Sequence, residues 1–390
     1  MFSDKQKDWI WIKSLQLPIG QERKLLQSIA SIEEIFDCAR RGDARLDVLN
    51  DQSRRVIIKK AHIEERERAA SALKHHHIRV LLRDEANYPA LLHHVMYPPE
   101  ILYYRGDLQT LQKPMLGMVG MRKPSAYGQA MAHHFAEEIA LRDIGIVSGM
   151  ARGIDGCAHR GALASKKEHV TVAILAAGLD VVYPPEHGEL FRSIEENGLL
   201  LSENPPGYAV HRYSAPQRNR LIAGLANVLL VVEAEYKSGS RYTVDASLAC
   251  GREVFAIPGR IDEAGSQLPN YLIQLGANVA LEPKDILDAF ERSCAFSVPK
   301  KKKTHETKKP EPMKKEAKAD QALKNKTLSN KEKMIMETLE KAPMTVDRLC
   351  MELNWPIHEL LVYLTKLEQI NMIQKDAANH TFQICISSYG

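Results

Sequence analysis

The 390 residues contain no apolar run of about 18, the length a membrane-spanning helix needs. The N-terminus lacks the basic-then-apolar plan of a signal peptide, so a cytoplasmic protein without membrane contact is expected. The six cysteines, Cys38, Cys157, Cys250, Cys294, Cys350 and Cys385, are scattered, with no C-x-x-C pair. That excludes a zinc site and a disulfide frame, and fits buried thiols of a reducing compartment. No G-x-x-x-x-G-K-[ST] occurs, and no G-x-G-x-x-G follows the first expected strand, so neither an ATPase nor a dinucleotide oxidoreductase is indicated. A carboxylate cluster suited to two metals is also missing, and no Ser or Cys nucleophile is paired in sequence with His159. A packed or phosphate-side histidine is expected there. The chain reads as non-catalytic, without cofactor or metal.

What is present divides by pattern, and the length allows two or three domains. Residues 1–80 have helical period through Leu15, Leu25, Leu26, Ile29, Ile32, Ile35 and Phe36, with a turn at Leu17–Gly20. This predicts a small all-α domain of helix-hairpin-helix or SAM-like type, which either holds a DNA backbone or only packs. His75, His76 and His77 point in different directions on a helix and predict a solvated end rather than a metal site. Residues 81–114 form a linking segment stiffened by Pro89, Pro98 and Pro99. Residues 115–290 alternate apolar runs with helical stretches. Strands are expected at Leu116–Val119, Ile144–Ser148, Val170–Leu175, Leu199–Ser202, Val228–Val232, Glu253–Ile257 and Asn278–Ala280. Several are apolar without a break, which predicts an α/β fold with a Rossmann-like, doubly wound, mostly parallel sheet. The formal net charge of +4 hides a local lysine excess over 296–328, a stretch also rich in Glu, Pro and Ala that predicts a disordered linker. Residues 329–390 read as a winged helix: helices at Glu332–Glu340, Thr345–Leu353 and Ile357–Gln369, then a hairpin across Met372–Ile384. The third helix carries His358, Glu359, Tyr363, Lys366 and Glu368, not a basic recognition face, so a protein contact is favoured over duplex DNA.

Ligands of such a sheet lie at the carboxyl ends of its strands, and four loops there combine glycine with cations or serine. The first holds Gly120, Arg122 and Lys123, and the second Ser148, Gly149, Arg152, Gly153 and Asp155, with Asp155 a possible helix cap. The third holds Arg212, Tyr213, Arg218, Asn219 and Arg220, placed where a loop enters a helix. The fourth holds Lys237, Ser238, Gly239 and Ser240. Guanidinium forks, loop amides and helix N-termini are the groups that hold phosphate. The competing reading is structural pairing of Arg122, Arg152, Arg218 and Arg220 with Asp143, Asp155, Glu203 or Glu233.

These loops, in this order, resemble the DprA/Smf family of DNA-processing proteins. The resemblance rests on V-G-x-R (119–122), S-G-x-A-x-G-I-D-x-x-A-H-x-G-A-L (148–163), G-L-D-x-x-Y-P (178–184) and L-S-E-x-P-P-G (201–207). It continues through R-N-R-x-I-A-G-L (218–225), V-E-A (232–234), S-G-S (238–240) and G-R-E-V-F-A-I-P-G (251–259). It implies a non-catalytic homodimer that binds single-stranded DNA, protects incoming or processed DNA, and loads RecA recombinase onto it in natural transformation and homologous recombination. A general recombination accessory without DNA uptake fits the same residues. Leu272 and Ile273 fall where the family has its self-association surface. The chain departs from the pattern at Met121, Ala215, Arg241-Tyr242 and Leu268; with Ala215 in place of an aromatic, Tyr213 is the ring left to stack on a base. The alternative is a nucleotide-processing enzyme of a related Rossmann-like fold, the phosphoribohydrolase type. In that type a loop P-G-G-x-G-T-x-x-E carries a carboxylate where this chain has Ala246, with Asp245 one position short.

Overall fold

The computed structural model describes residues 2–211, 213–297, 330–341, 344–353, 355, 360, 363–364, 367, 372–376 and 381–384. The unbroken apolar runs become strands buried along their whole length, as cover on both faces requires. In chain order the strands are Arg79–Leu82 (β1), Ile101–Gly106 (β2), Met115–Val119 (β3), Gly145–Ser148 (β4), Thr171–Leu175 (β5), Leu199–Ser202 (β6), Val228–Val231 (β7), Glu253–Ala256 (β8) and Asn278–Val279 (β9). They form one nine-stranded sheet in the order β1-β2-β6-β5-β4-β3-β7-β8-β9. From β6 to β9 all pairings are parallel, with Leu116 opposite Ile146 on one side and Val228 on the other. The winding runs outward from β3 in both directions, so the order reverses beside β3 and opens a crevice at the carboxyl ends of β3, β4 and β7.

Two strands lie in the segment expected only to link. β1 and β2 pair antiparallel, Leu81 opposite Leu102, and β2 adds antiparallel to β6 at the sheet edge. Their connection, residues 83–100, is too long for a hairpin turn signal, and its prolines mask the apolar residues on either side.

Five helices precede β1: Asp4–Ser14 (α1), Ile19–Ser28 (α2), Ile32–Arg41 (α3), Asp51–Lys60 (α4) and Ile63–His75 (α5). They do not stand apart from the sheet. Trp11, fully buried, donates its indole N–H to the Lys60 carbonyl at 2.7 Å and meets the Phe36 ring edge-on at 4.8 Å. The same apolar cluster takes in Tyr103 of β2, Ala173 of β5 and Leu200 of β6. Beyond β3 come Ala126–Ala140 (α6), Ile154–Ala164 (α7), Gly188–Asn197 (α8), Ser214–Leu225 (α9), Ser240–Ala249 (α10), Gln267–Gln274 (α11) and Pro283–Ser297 (α12). Helices α6, α7 and α12 share one face of the sheet, while α9, α10 and α11 cover the other. The ends of β3 to β9 differ from the sequence expectation by no more than a residue, the ordinary fraying of boundaries.

Residues 1–300 form one compact unit and 301–390 a second. The second holds helices Asn330–Lys341 and Val346–Leu353 and a three-stranded sheet in which Met344–Thr345 and Ile373–Asp376 flank Thr381–Ile384. Most of the linker expected at 296–328 and of the helix expected at 357–369 lies outside the described residues. Among the described residues, no helix is long and apolar enough to cross a membrane, and no group of three or more His, Cys, Asp or Glu side chains is placed to hold a metal.

His159 on α7 is packed rather than poised. It is fully buried, with Nδ1 2.7 Å from the Thr171 hydroxyl, and burial pushes its pKa down to about 3. The unfolded chain protonates it near 6.5. Stability from the neutral ring is therefore present above about pH 6.5 and is lost as pH falls toward 3, by up to ~1.4 kcal/mol per pH unit. Urea unfolding of wild type and His159→Gln at about pH 7 and about pH 5 is expected to show a shallower pH slope in the variant, by roughly one proton.

Candidate nucleic-acid interface

The three residues Arg218-Asn219-Arg220 do not stand at the mouth of a helix. Helix α9 begins at Ser214, with Pro216 in its first turn, where no backbone N–H is needed. Arg218 is thus one turn in, and its side chain runs under the ends of β4 and β5. It is 6% exposed and donates to the carbonyls of Gly149 and Ile174, and to Asn219 Oδ1 at 3.1 Å. Asp155 is buried nearby. Burial pushes its carboxyl up, with the Arg218 charge and the Ala151 amide (3.3 Å) pulling the other way. Burial likewise lowers Arg218 to about 10, which leaves it charged at neutral pH. Asp155 does not cap α7; Gly153 stands at that position with φ +75°, and the carboxylate turns back onto the loop.

The loops are tied to one another through main-chain groups. The Met121 amide donates to the Glu233 carbonyl at 2.6 Å, and the Ile154 amide to the Met121 carbonyl at 3.2 Å. Ser240 Oγ donates to the Gly120 carbonyl at 3.1 Å, and Asn219 Nδ2 reaches the Gly239 carbonyl at 3.5 Å. Glu233, buried just past β7, places its carboxylate at the start of α6. There it accepts from the Ser125 amide at 2.8 Å and the Ser125 hydroxyl at 2.5 Å. Such close approach leaves no room for side chains at two turns. A Cβ on Gly120 would lie 2.7 Å from the Glu233 carbonyl oxygen, and one on Gly153 2.7 Å from the Arg122 carbonyl carbon. Met150 is held in the left-handed region (φ 60°), with its carbonyl 3.2 Å from His187 Nδ1.

The expected contact residues separate into three groups. Ser148 and Ser240 turn their hydroxyls inward, Ser148 to the Met118 carbonyl at 2.7 Å, and Ser238 Oγ is buried without a hydrogen-bond partner. Arg218, Arg220 and Arg152 are engaged by the protein: Arg220 with Glu203 at 2.5 Å, and Arg152 with Glu186 in a half-exposed pair. The Arg152 pair is open to solvent and weak, so a phosphate can displace it. Arg122, Lys123 and Lys237 are exposed, and none forms an ion pair or hydrogen bond among the described residues. Tyr213 is also exposed, at the start of α9. Arg212 lies outside the described residues.

Arg122, Gly149, Arg152 and Arg218 line one small pocket of about 40 Å³. Lys123, Lys237, Gly239 and Tyr213 do not. Its far wall is Ala176, Ala177, Tyr183 and Pro184, in the loop after β5. They are not among the expected contact residues, although Tyr183 and Pro184 close the G-L-D-x-x-Y-P motif. Asp245 is exposed on α10 and is not part of the lining. Leu272 packs into the core of its own chain, and Ile273 is partly buried against it.

Two substitutions test this architecture. Arg218→Ala leaves the buried Gly149 and Ile174 carbonyls without their donor and is expected to lower stability by about 2–5 kcal/mol. Gly153→Ala carries the left-handed backbone penalty of about 1–2 kcal/mol together with the clash. Gly207 has φ +78° with open space around it, so Gly207→Ala isolates the first contribution. Thermal unfolding should show Gly153→Ala as the more destabilised of the two.

A family profile described as DNA recombination-mediator protein A matches residues 79–291, more than half of the chain. Protein Smf of Escherichia coli (strain K12) is 41% identical over 214 residues, 55% of this chain and 56% of that protein, so the match spans little more than half of that relative's length. The DNA processing protein DprA of Bacillus subtilis (strain 168) is 35% identical over 60% of this chain and 78% of its own. The crystal structure of DNA processing protein A from Streptococcus pneumoniae superposes with a TM-score of 0.60 at 30% identity, covering 74% of this chain and 98% of that one. DNA processing protein A from Helicobacter pylori, solved for its single-stranded DNA binding mode, gives 0.51 at 28% identity over 55% and 96%. The matched span runs from β1 into α12 and takes in every loop described above, and the chain belongs to the DprA/Smf family.

Proposed function

We propose that this protein grips single-stranded DNA by its phosphates at the carboxyl ends of β3, β4 and β7, protects incoming or processed DNA, and loads RecA recombinase onto it in natural transformation and homologous recombination. The observation that carries the DNA reading is the set of exposed, unpaired cations Arg122, Lys123 and Lys237 on the loops after β3 and β7, with Arg122 also lining the pocket of about 40 Å³. Pockets that enclose a small molecule run to about 300–1,000 Å³. A site this small favours a polymer lying across the surface over a nucleotide taken inside. The relative from Helicobacter pylori, a single-stranded DNA binder, supports the same ligand. With no activated nucleophile in the lining, and Asp245 outside it, the role is binding rather than catalysis.

The protein is proposed to act as a cytoplasmic homodimer. Leu272 is covered by its own chain, so the contact would draw on Ile273 and on the exposed Leu275, Val279 and Leu281. The C-terminal helix–strand–helix–hairpin order supports a winged helix, and its role is proposed to be a protein contact.

Anisotropy of labelled oligo-dT and duplex over a salt series tests the reading. Log affinity for the single strand is expected to fall linearly with log salt, and Arg122→Ala to reduce the slope by ~1 while leaving the melting temperature near wild type. An affinity independent of salt would overturn the phosphate grip.

A further inference from the structure

Beside the small pocket lies a much larger groove, about 890 Å³, between the α1–α2 turn and the loops of the sheet. The two share α9. Ala215 and Arg218 of that helix line the pocket, while Pro216, Gln217 and Arg220 line the groove. A strand that crosses the pocket and passes over the start of α9 therefore enters the groove without leaving the surface.

The groove is not a second phosphate grip. Three of its cations are answered within it: Lys13 by Glu22 at 2.6 Å, Arg83 by Glu100 at 2.8 Å and Arg220 by Glu203 at 2.5 Å. Arg23 is different. It has no carboxylate partner among the described residues; instead its guanidinium lies over the Tyr97 ring, 3.4 Å from the centroid. Tyr97 is 54% exposed and sits at φ 59°, a left-handed conformation uncommon for a bulky residue. Side chains held in such conformations concentrate at ligand clamps. Guanidinium covers one side of the ring, which stays half exposed in a groove that Tyr208 and His211 also line. Aromatic and guanidinium planes exposed together are the surface on which unpaired bases stack.

We propose that Tyr97, backed by Arg23, is a stacking platform for the nucleobases of a single strand that continues from the pocket past α9. The phosphates are then held on the sheet side and the bases on the helical side. The assignment rests on the single-stranded DNA reading above, but it names different residues and a different part of the ligand.

Length dependence separates the two. Labelled oligo-dT of about 5 nucleotides reaches the pocket only, whereas about 20 nucleotides span both regions. Tyr97→Ala in the full chain is expected to weaken the long strand roughly tenfold or more while leaving the short one unchanged. Tyr97→Phe keeps the ring and should retain wild-type affinity for both lengths. Arg23→Gln should reproduce part of the Tyr97→Ala loss. Unchanged binding of both lengths by Tyr97→Ala, or equal weakening of both, overturns the platform. If Arg122→Ala weakens both lengths while Tyr97→Ala weakens neither, the pocket stands and the groove assignment fails. If wild type binds neither length, the single-strand reading fails and the platform with it.

Discussion

The guanidinium of Arg218 reaches from α9 beneath the ends of β4 and β5 and takes two main-chain carbonyls, with the buried carboxyl of Asp155 beside it. Much of the site's floor depends on that arrangement. A loop turned by Gly149 and Gly153 has few side-chain contacts of its own, and its carbonyls would otherwise face inward unsatisfied. One buried cation answers them and couples α9 to two strands. Above this floor, the Met121, Glu233 and Ile154 main-chain bonds hold the loops after β3 and β7 against the start of α7. The exposed cations Arg122 and Lys123 are carried on loops whose backbone is already placed, so little ordering is left to binding.

How much of this was legible in the sequence depended on whether the cause was local. Unbroken apolar runs such as Val228–Val231 announced covered strands, and the structure has them within a residue of expectation. The edge strand Arg79–Leu82 and its neighbour Ile101–Gly106 were not legible, because their pairing is across a long proline-bearing connection and the second partner of β2 is β6, far along the chain. The loop-to-helix junction expected at Arg218–Arg220 lies one turn earlier, because Pro216 sits in the first turn of α9, where a proline breaks nothing.

The site was legible as a set of loops but not as a division of labour. Four arginines look alike in sequence. Whether one faces water or a carboxylate depends on Glu186 for Arg152 and Glu203 for Arg220, brought in by other elements. Arg218 is taken by carbonyls, which no side-chain pattern records. The wall formed by Tyr183 and Pro184 was visible as a motif without a stated job, since its contribution is shape rather than charge.

The position of Glu233 has a wider consequence. In a doubly wound sheet the mouth of the first helix after the central strand is where a nucleotide's diphosphate settles. Here that place belongs permanently to a carboxylate of the same chain, bonded to the Ser125 amide and hydroxyl. The protein carries its own anion where a free mononucleotide would compete. The cations Arg122, Lys123 and Lys237 lie outside that seat, exposed at the surface. A cradle shaped for a small anion is filled from within by the chain's own carboxylate.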